Sequence, residues 1–221
     1  MRDDITSIPI SDVFEPKEGC PVCRLRNMLE ERSVTYITGA AMMEPDVRIE
    51  TNKVGFCRHH YGQMLKSSKK LTIALMLKSH LAQIASDGVS TAGKVKKGEI
   101  RQKSCFVCNK LNRNMEHIVT NICLLWEKEK EFRYLYSEQP HICLEHCKDL
   151  VAAADNISKK NRREFIKITE KLCEDYLVEL AGDLQHFADM FDYRSNGSED
   201  WGNSKDSVER TVAFLTTREV E

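Results

Sequence analysis

An all-α fold is what this sequence predicts, on three observations. Strand-like alternation is scarce, apolar residues recur every three or four positions over long stretches, and four cysteine-led steps open such stretches. At 221 residues the chain is long enough to bury a real core. Its hydrophobic share of 41% and charged share of 30% are those of a globular protein.

The first helix is expected from Cys20 to Thr38, where Val22, Leu25, Met28 or Leu29, Val34 and Ile37 keep helical spacing and Gly39 supplies a stop. The segment "AMMEPDVRIETNKVG" that follows contains Pro45, alternating Val47 and Ile49, and Gly55, and reads as an ordered loop or short extended piece. Helical patterns resume over Phe56–Lys66 and Leu71–Ile84. Residues 86–103 are small, polar and basic with three glycines, the composition of a linker or mobile loop. A second long helix is expected from Cys105 to Trp126, then the charged helix "EKEKEFRYLY", then a helix from Cys143 to about Ala154. The last long helix, Lys160 to Asp192, aligns Phe165, Ile168, Leu172, Tyr176, Leu180, Leu184, Phe187 and Phe191 in one apolar stripe. A polar loop then leads to a short helix from Lys205 with Ser204 as its cap. The expected organisation is a first metal-binding repeat over residues 1–87, a linker over 88–104, a second repeat over 105–192 and a C-terminal loop and helix over 193–221.

That division rests on an internal duplication. Cys20, Val22 and Cys23 superpose on Cys105, Val107 and Cys108, and the same register aligns Asn27 with Asn112, Glu31 with Glu116 and Ile37 with Ile122. One residue further out of step, "CRHH" at Cys57 meets "CLEH" at Cys143. Each half thus carries a C-x-x-C pair and a C-x-x-H pair. The expected ligand sets are Cys20, Cys23, Cys57 and His60 in the first half and Cys105, Cys108, Cys143 and His146 in the second. Three thiolates and one imidazole make a closed tetrahedral zinc shell. Placing each pair at a helix start also turns free backbone N–H groups and the positive dipole end toward the thiolates.

Other readings of these residues stay open. Thioredoxin-like redox chemistry uses C-x-x-C, but in a βαβ setting not seen here. An iron–sulfur cluster also takes cysteine and histidine, although no ferredoxin-type run is present. His59 adjoins His60 and is the alternative ligand, with spacing favouring His60. Cys123 and Cys173 lie in apolar stripes and read as core, and Cys147 aligns with Tyr61 and so reads as a non-ligand. His80, His117 and His186 have no partner motif.

Two polar segments are the raw material of a small-molecule site. One brings Glu44, Asp46, Arg48 and Asn52, the other Tyr193, Arg194, Trp201, Asn203, Lys205 and Asp206. The same residues equally serve as caps and surface ion pairs. An enzyme site made by both segments is therefore the alternative to a binding or scaffold module held by two zinc ions.

A net charge of −1 gives no electrostatic reason to expect nucleic acid or an anionic membrane as partner. The partner class expected is an unspecified protein or small molecule. No apolar run approaches a membrane span, and the acidic N-terminus has no signal-like h-region. A cytoplasmic protein is expected, where thiols stay reduced and paired cysteines are metal ligands or redox groups.

"GCPVC", "AMMEPDVRIETN", "GFCRHH", "CFVC", the Trp126-Glu127 step and "FDYR…WGNSKD" together resemble an uncharacterised bacterial family of the domain-of-unknown-function kind, DUF6062-like, over nearly the full length. Two departures stand out. His141-Ile142 occupies the place of Gly55-Phe56, and Cys147 follows the second histidine where an apolar or aromatic residue is expected. The resemblance implies no activity.

Overall fold

The computed structural model describes residues 10–88, 105–191 and 200–217, and every regular element among them is helical. Ten α-helices follow in order: α1 (Ile10–Phe14), α2 (Pro21–Ile37), α3 (Pro45–Val54), α4 (Arg58–Lys66), α5 (Lys70–Asp87), α6 (Phe106–Lys128), α7 (Lys130–Ser137), α8 (Leu144–Ala153), α9 (Lys159–Asp189) and α10 (Ser207–Thr216). Short 3-10 turns cover Ala40–Met43 and Ala154–Asn156. None of the described helices is long and apolar enough to cross a membrane.

The chain forms two compact units, one of Met1–Arg26 with Glu116–Glu221 and one of Asn27–Met115. Both divisions fall inside long helices, α2 and α6. The expected linker and the segment around Tyr193 and Arg194 lie outside the described residues, apart from Gly88 at the end of α5.

The first unit is built on aromatic side chains. The Phe14 ring lies 5.0 Å from that of Phe132, Trp126 lies 5.2 Å from Phe165, and Tyr136 lies 5.4 Å from Phe165. Phe14, Trp126, Tyr136 and Phe165 are fully buried. Each such ring removes a large apolar area from water, and tilted or edge contacts add about 0.5–1.5 kcal/mol per pair. Of its two polar tips, the Tyr136 hydroxyl lies 2.8 Å from Thr169 Oγ1, and Thr169 donates to the Phe165 carbonyl, whereas the buried Trp126 Nε1 has no hydrogen-bond partner. Glu127 Oε1 accepts from Ser158 and Asn161, which ties the end of α6 to the start of α9.

Helix α9 spans 31 residues, about 46 Å at 1.5 Å per residue. Its apolar stripe is buried at Phe165, Cys173 and Leu180 and then thins, until Phe191 just beyond the helix is 71% exposed. Cys123 and Cys173 are buried. The helix expected from Lys205 begins at Ser207, because Ser204 turns its hydroxyl back to the Trp201 carbonyl and does not cap it.

The second unit packs Ile37, Ala41, Met64, Ile73 and Met76 together with Cys105, Phe106 and Val107. Helix α2 ends where Thr38 bonds back to the Val34 carbonyl and Gly39 follows, as its glycine stop predicts. The segment expected to be a loop or extended piece is instead a 3-10 turn followed by α3. Pro45 sits in the first turn, Asp46 meets the positive helix end, Lys53 the negative end, and Gly55 at φ +65° closes the helix. Val47 and Ile49 alternate as in a strand, but on α3 they fall on opposite sides: Val47 packs against the core of the unit and Ile49 is exposed.

Candidate metal centres

All four ligand pairs occupy equivalent places. Cys57 and Cys143 are the N-cap residues of α4 and α8, with extended backbone, while Cys20 and Cys105 immediately precede α2 and α6. Their partners, Cys23, Cys108, His60 and His146, stand three residues on, in the first turn of the same helix. An N-cap followed by three residues puts both donors on one side of the helix start, beside its unpaired N–H groups.

The pairs meet across the halves. Cys20, Cys23, Cys143 and His146 form one cluster in the first unit, and Cys57, His60, Cys105 and Cys108 form the other in the second unit. This corrects the sets expected from the duplication, in which each half closed on itself. The reason lies in the course of the two long helices. Helix α2 begins in the first unit and ends in the second, so Cys57 is built into the unit that holds Cys105. Helix α6 begins in the second unit and ends in the first, so Cys143 is built into the unit that holds Cys20.

In both clusters three sulfurs surround one histidine Nδ1. Around His60 they stand at 3.1 Å (Cys57), 3.3 Å (Cys105) and 3.5 Å (Cys108). Around His146 they stand at 3.1 Å (Cys143), 3.3 Å (Cys23) and 3.8 Å (Cys20). Sulfur pairs approach to 3.9 Å (Cys57–Cys108) and 3.5 Å (Cys23–Cys143). A ring nitrogen offers one proton or one lone pair, so hydrogen bonding accounts for one of three sulfurs at most. A tetrahedral ion with Zn–S of ~2.3 Å and Zn–N of ~2.0 Å would have donor-to-donor edges of about 3.5–3.8 Å. The arrangement fits a four-ligand metal shell.

The electrostatics agree. Burial opposes ionisation of Cys105, yet the His60 ring and backbone N–H groups outweigh it and hold the thiol down to about 6. Burial and the negative charge of Cys105 push Cys108 up to about 12. In the other cluster Cys20 is held low against its own burial by Cys143, Cys23 and His146. Cys23 is pushed up by Cys143 and Cys20, and Cys143 chiefly by Cys20. Each cluster thus supports one thiolate and resists a second, because like charges this close repel. A divalent cation would remove that resistance.

Around these donors the two centres differ. His60 Nε2 lies 2.9 Å from Glu30 Oε1, and His59 Nε2 lies 3.4 Å from the same oxygen. Glu30 and the pair it makes with His60 were missed by sequence reasoning; Glu30 sits mid-helix among charged residues and carries no spacing signal. Gly55 is tightly placed, since a Cβ there would stand 2.7 Å from His80 Nε2. His80 in turn bonds the Asn52 carbonyl through Nδ1 at 2.6 Å, and the Gly55 carbonyl accepts the Phe106 N–H at 2.9 Å, next to Cys105. At the corresponding place in the first unit, His141 stacks flat on Tyr176 with ring centroids 3.7 Å apart. Cys147, the residue after His146, turns its thiol to the Thr169 carbonyl and takes no part in the cluster.

The polar segments find local partners. Glu44 accepts the Tyr36 hydroxyl at 2.8 Å and precedes α3, whose turns carry Asp46, Arg48 and Asn52. Asn52 gives its carbonyl to His80. Arg210 gathers Asp206, the Asn203 carbonyl and Asp183, and Trp201 packs its ring 5.7 Å from those of Phe187 and Phe191. Lys205 is exposed. The segments belong to different units.

The model of a family of unknown function, DUF6062, matches residues 1–221. No curated protein and no solved structure matches the chain.

Proposed function

We propose, for a chain that belongs to the DUF6062 family and inherits no activity from it, a zinc-binding helical module in which two closed Cys3His centres staple helix starts that are distant in sequence. The observation that carries this reading is the convergence of three sulfurs on one imidazole nitrogen, in each of two units, at 3.1–3.8 Å, close to the edges of a tetrahedral shell. Zinc suits the donor set because thiolate and imidazole in fours are its ordinary structural shell. An iron–sulfur cluster fits less well: it needs room for several irons and sulfides, and in each group all donor atoms lie within 4.8 Å of one another. Four protein ligands leave no open coordination position at either centre, so the role is structural, and the module acts as a binding or scaffold unit in a reducing, cytoplasmic setting.

Elemental analysis of the purified full chain tests the reading. Two zinc ions per chain are expected, with cysteines that resist alkylation until a chelator is added. Thiols that titrate freely in the folded protein, with no metal bound, would sink it.

A further inference from the structure

The imidazole of His60 has two working faces. Nδ1 points at the three sulfurs, and Nε2 points at Glu30. His59, the next residue on α4, brings its own Nε2 to the same carboxylate, so that one donor atom each from Glu30, His59 and His60 lies within 4.8 Å of the others. We propose that these three residues form a third, open metal position that shares the His60 imidazole with the closed centre of the same unit. The proposal rests on the reading that the closed centre holds zinc.

Two imidazoles and a carboxylate are a donor set found at open zinc and iron sites, where the remaining positions go to water or a ligand. The Glu30–His60 and Glu30–His59 separations, 2.9 and 3.4 Å, are edges that a small divalent ion with bonds of ~2.0–2.2 Å spans. Access is graded in the right direction. The His60 side chain is 1% exposed and that of Glu30 10%, while His59 is 33% exposed and forms the solvent side.

Charge supplies the motive. A dication with three thiolates leaves the closed centre at −1, and the Glu30 carboxylate adds a second negative charge in a largely buried place. A second dication brings that charge to zero. Because its bond to Nε2 would replace the proton there, which leaves to buffer, the His60 imidazolate bridging the two ions leaves a single negative charge. The closed centre is structural; the bridged ion, with vacant positions, is where water or another neutral donor ligand would bind.

The test uses the full-length chain loaded with zinc and then titrated with cobalt(II), with metal counted after passage over a weak chelating resin. The expected result is a third equivalent of metal, whose cobalt spectrum lacks a thiolate charge-transfer band. His59→Ala should weaken that equivalent at least ~10-fold and leave two zinc ions and the helical circular dichroism unchanged. Cobalt in both positions of this unit should show a lowered magnetic moment from exchange through the imidazolate. Two equivalents only, or a third that survives His59→Ala unchanged, overturns the proposal and leaves Glu30 as a hydrogen-bonding partner of His60, with the closed centres intact. Fewer than two tightly held zinc ions overturns the closed centres, and the bridged position with them.

Discussion

The two centres use the same donors at the same helix positions, yet their surroundings assign them different weight. In the first unit the buried rings of Phe14, Trp126, Tyr136 and Phe165 supply a large aromatic core in addition to the buried ligands Cys20 and Cys143. In the second unit the core itself contains Cys105, with Cys57 and Cys108 packed against it. The same donor set can therefore lie beside a large aromatic core in one unit and belong to a smaller core in the other. Small domains with few large apolar side chains are the ones that depend on a metal staple.

The largest expected effect breaks that comparison directly. Cys105→Ser should remove one zinc and melt the helices of the second unit, since a structural zinc contributes an apparent ~10–16 kcal/mol of folding free energy. Cys20→Ser should also remove one zinc but leave α7 and α9 folded on their aromatic core. Hydrogen exchange resolved by unit checks both. Equal loss of protection in the two units after Cys105→Ser would erase the distinction.

Gly55→Ala comes next. The backbone there has φ +65°, and the new Cβ would meet His80 Nε2 at 2.7 Å. A loss of about 2–3 kcal/mol is expected from strain and displacement combined. Zinc should drain from the Cys57–Cys108 centre while the other keeps its ion. Adding His80→Ala should recover the part due to the clash, as a double-mutant cycle would measure.

Glu30→Gln sharpens the contrast between the two imidazoles. Loss of the carboxylate behind His60 should lower zinc affinity at that centre about 10–100-fold, read by competition with a chromophoric chelator. The Cys20–His146 centre should not change. The smallest effect belongs to Tyr136→Phe, which removes the hydroxyl 2.8 Å from Thr169. Because Thr169 retains the Phe165 carbonyl, about 1 kcal/mol of global stability should go, with both zinc ions retained. A drop of several kcal/mol in a denaturant melt would mean that this hydrogen bond organises the core beyond its own strength.

Much of the local architecture was legible in the sequence. Apolar spacing located eight of the ten helices in part or whole, and Gly39 marked the end of α2. Helix α3 had its signals in Pro45, Asp46, Lys53 and Gly55, but two β-branched residues in alternation outweighed them. Helix α1, five residues long, is too short for its periodicity to register; it is held by Phe14 packing on Phe132 and Tyr136 and by Gln139 donating to the Phe14 carbonyl. Of the polar residues proposed for a small-molecule site, Glu44, Asn203 and Asp206 hold nearby Tyr36 and Arg210.

The sequence by itself determined which residues could be ligands and that each pair opens a helix. Both are local matters: two residues between donors and an N-cap fix the geometry within one turn. Only the tertiary structure decided which pairs meet. Each half looks self-sufficient when read as a string, yet α2 carries the chain from the first unit into the second and α6 carries it from the second into the first. Ligand pairs from different halves are therefore the ones that come within reach. Glu30 belongs to the same lesson, since nothing in its neighbours marks it until the fold lays it against His60.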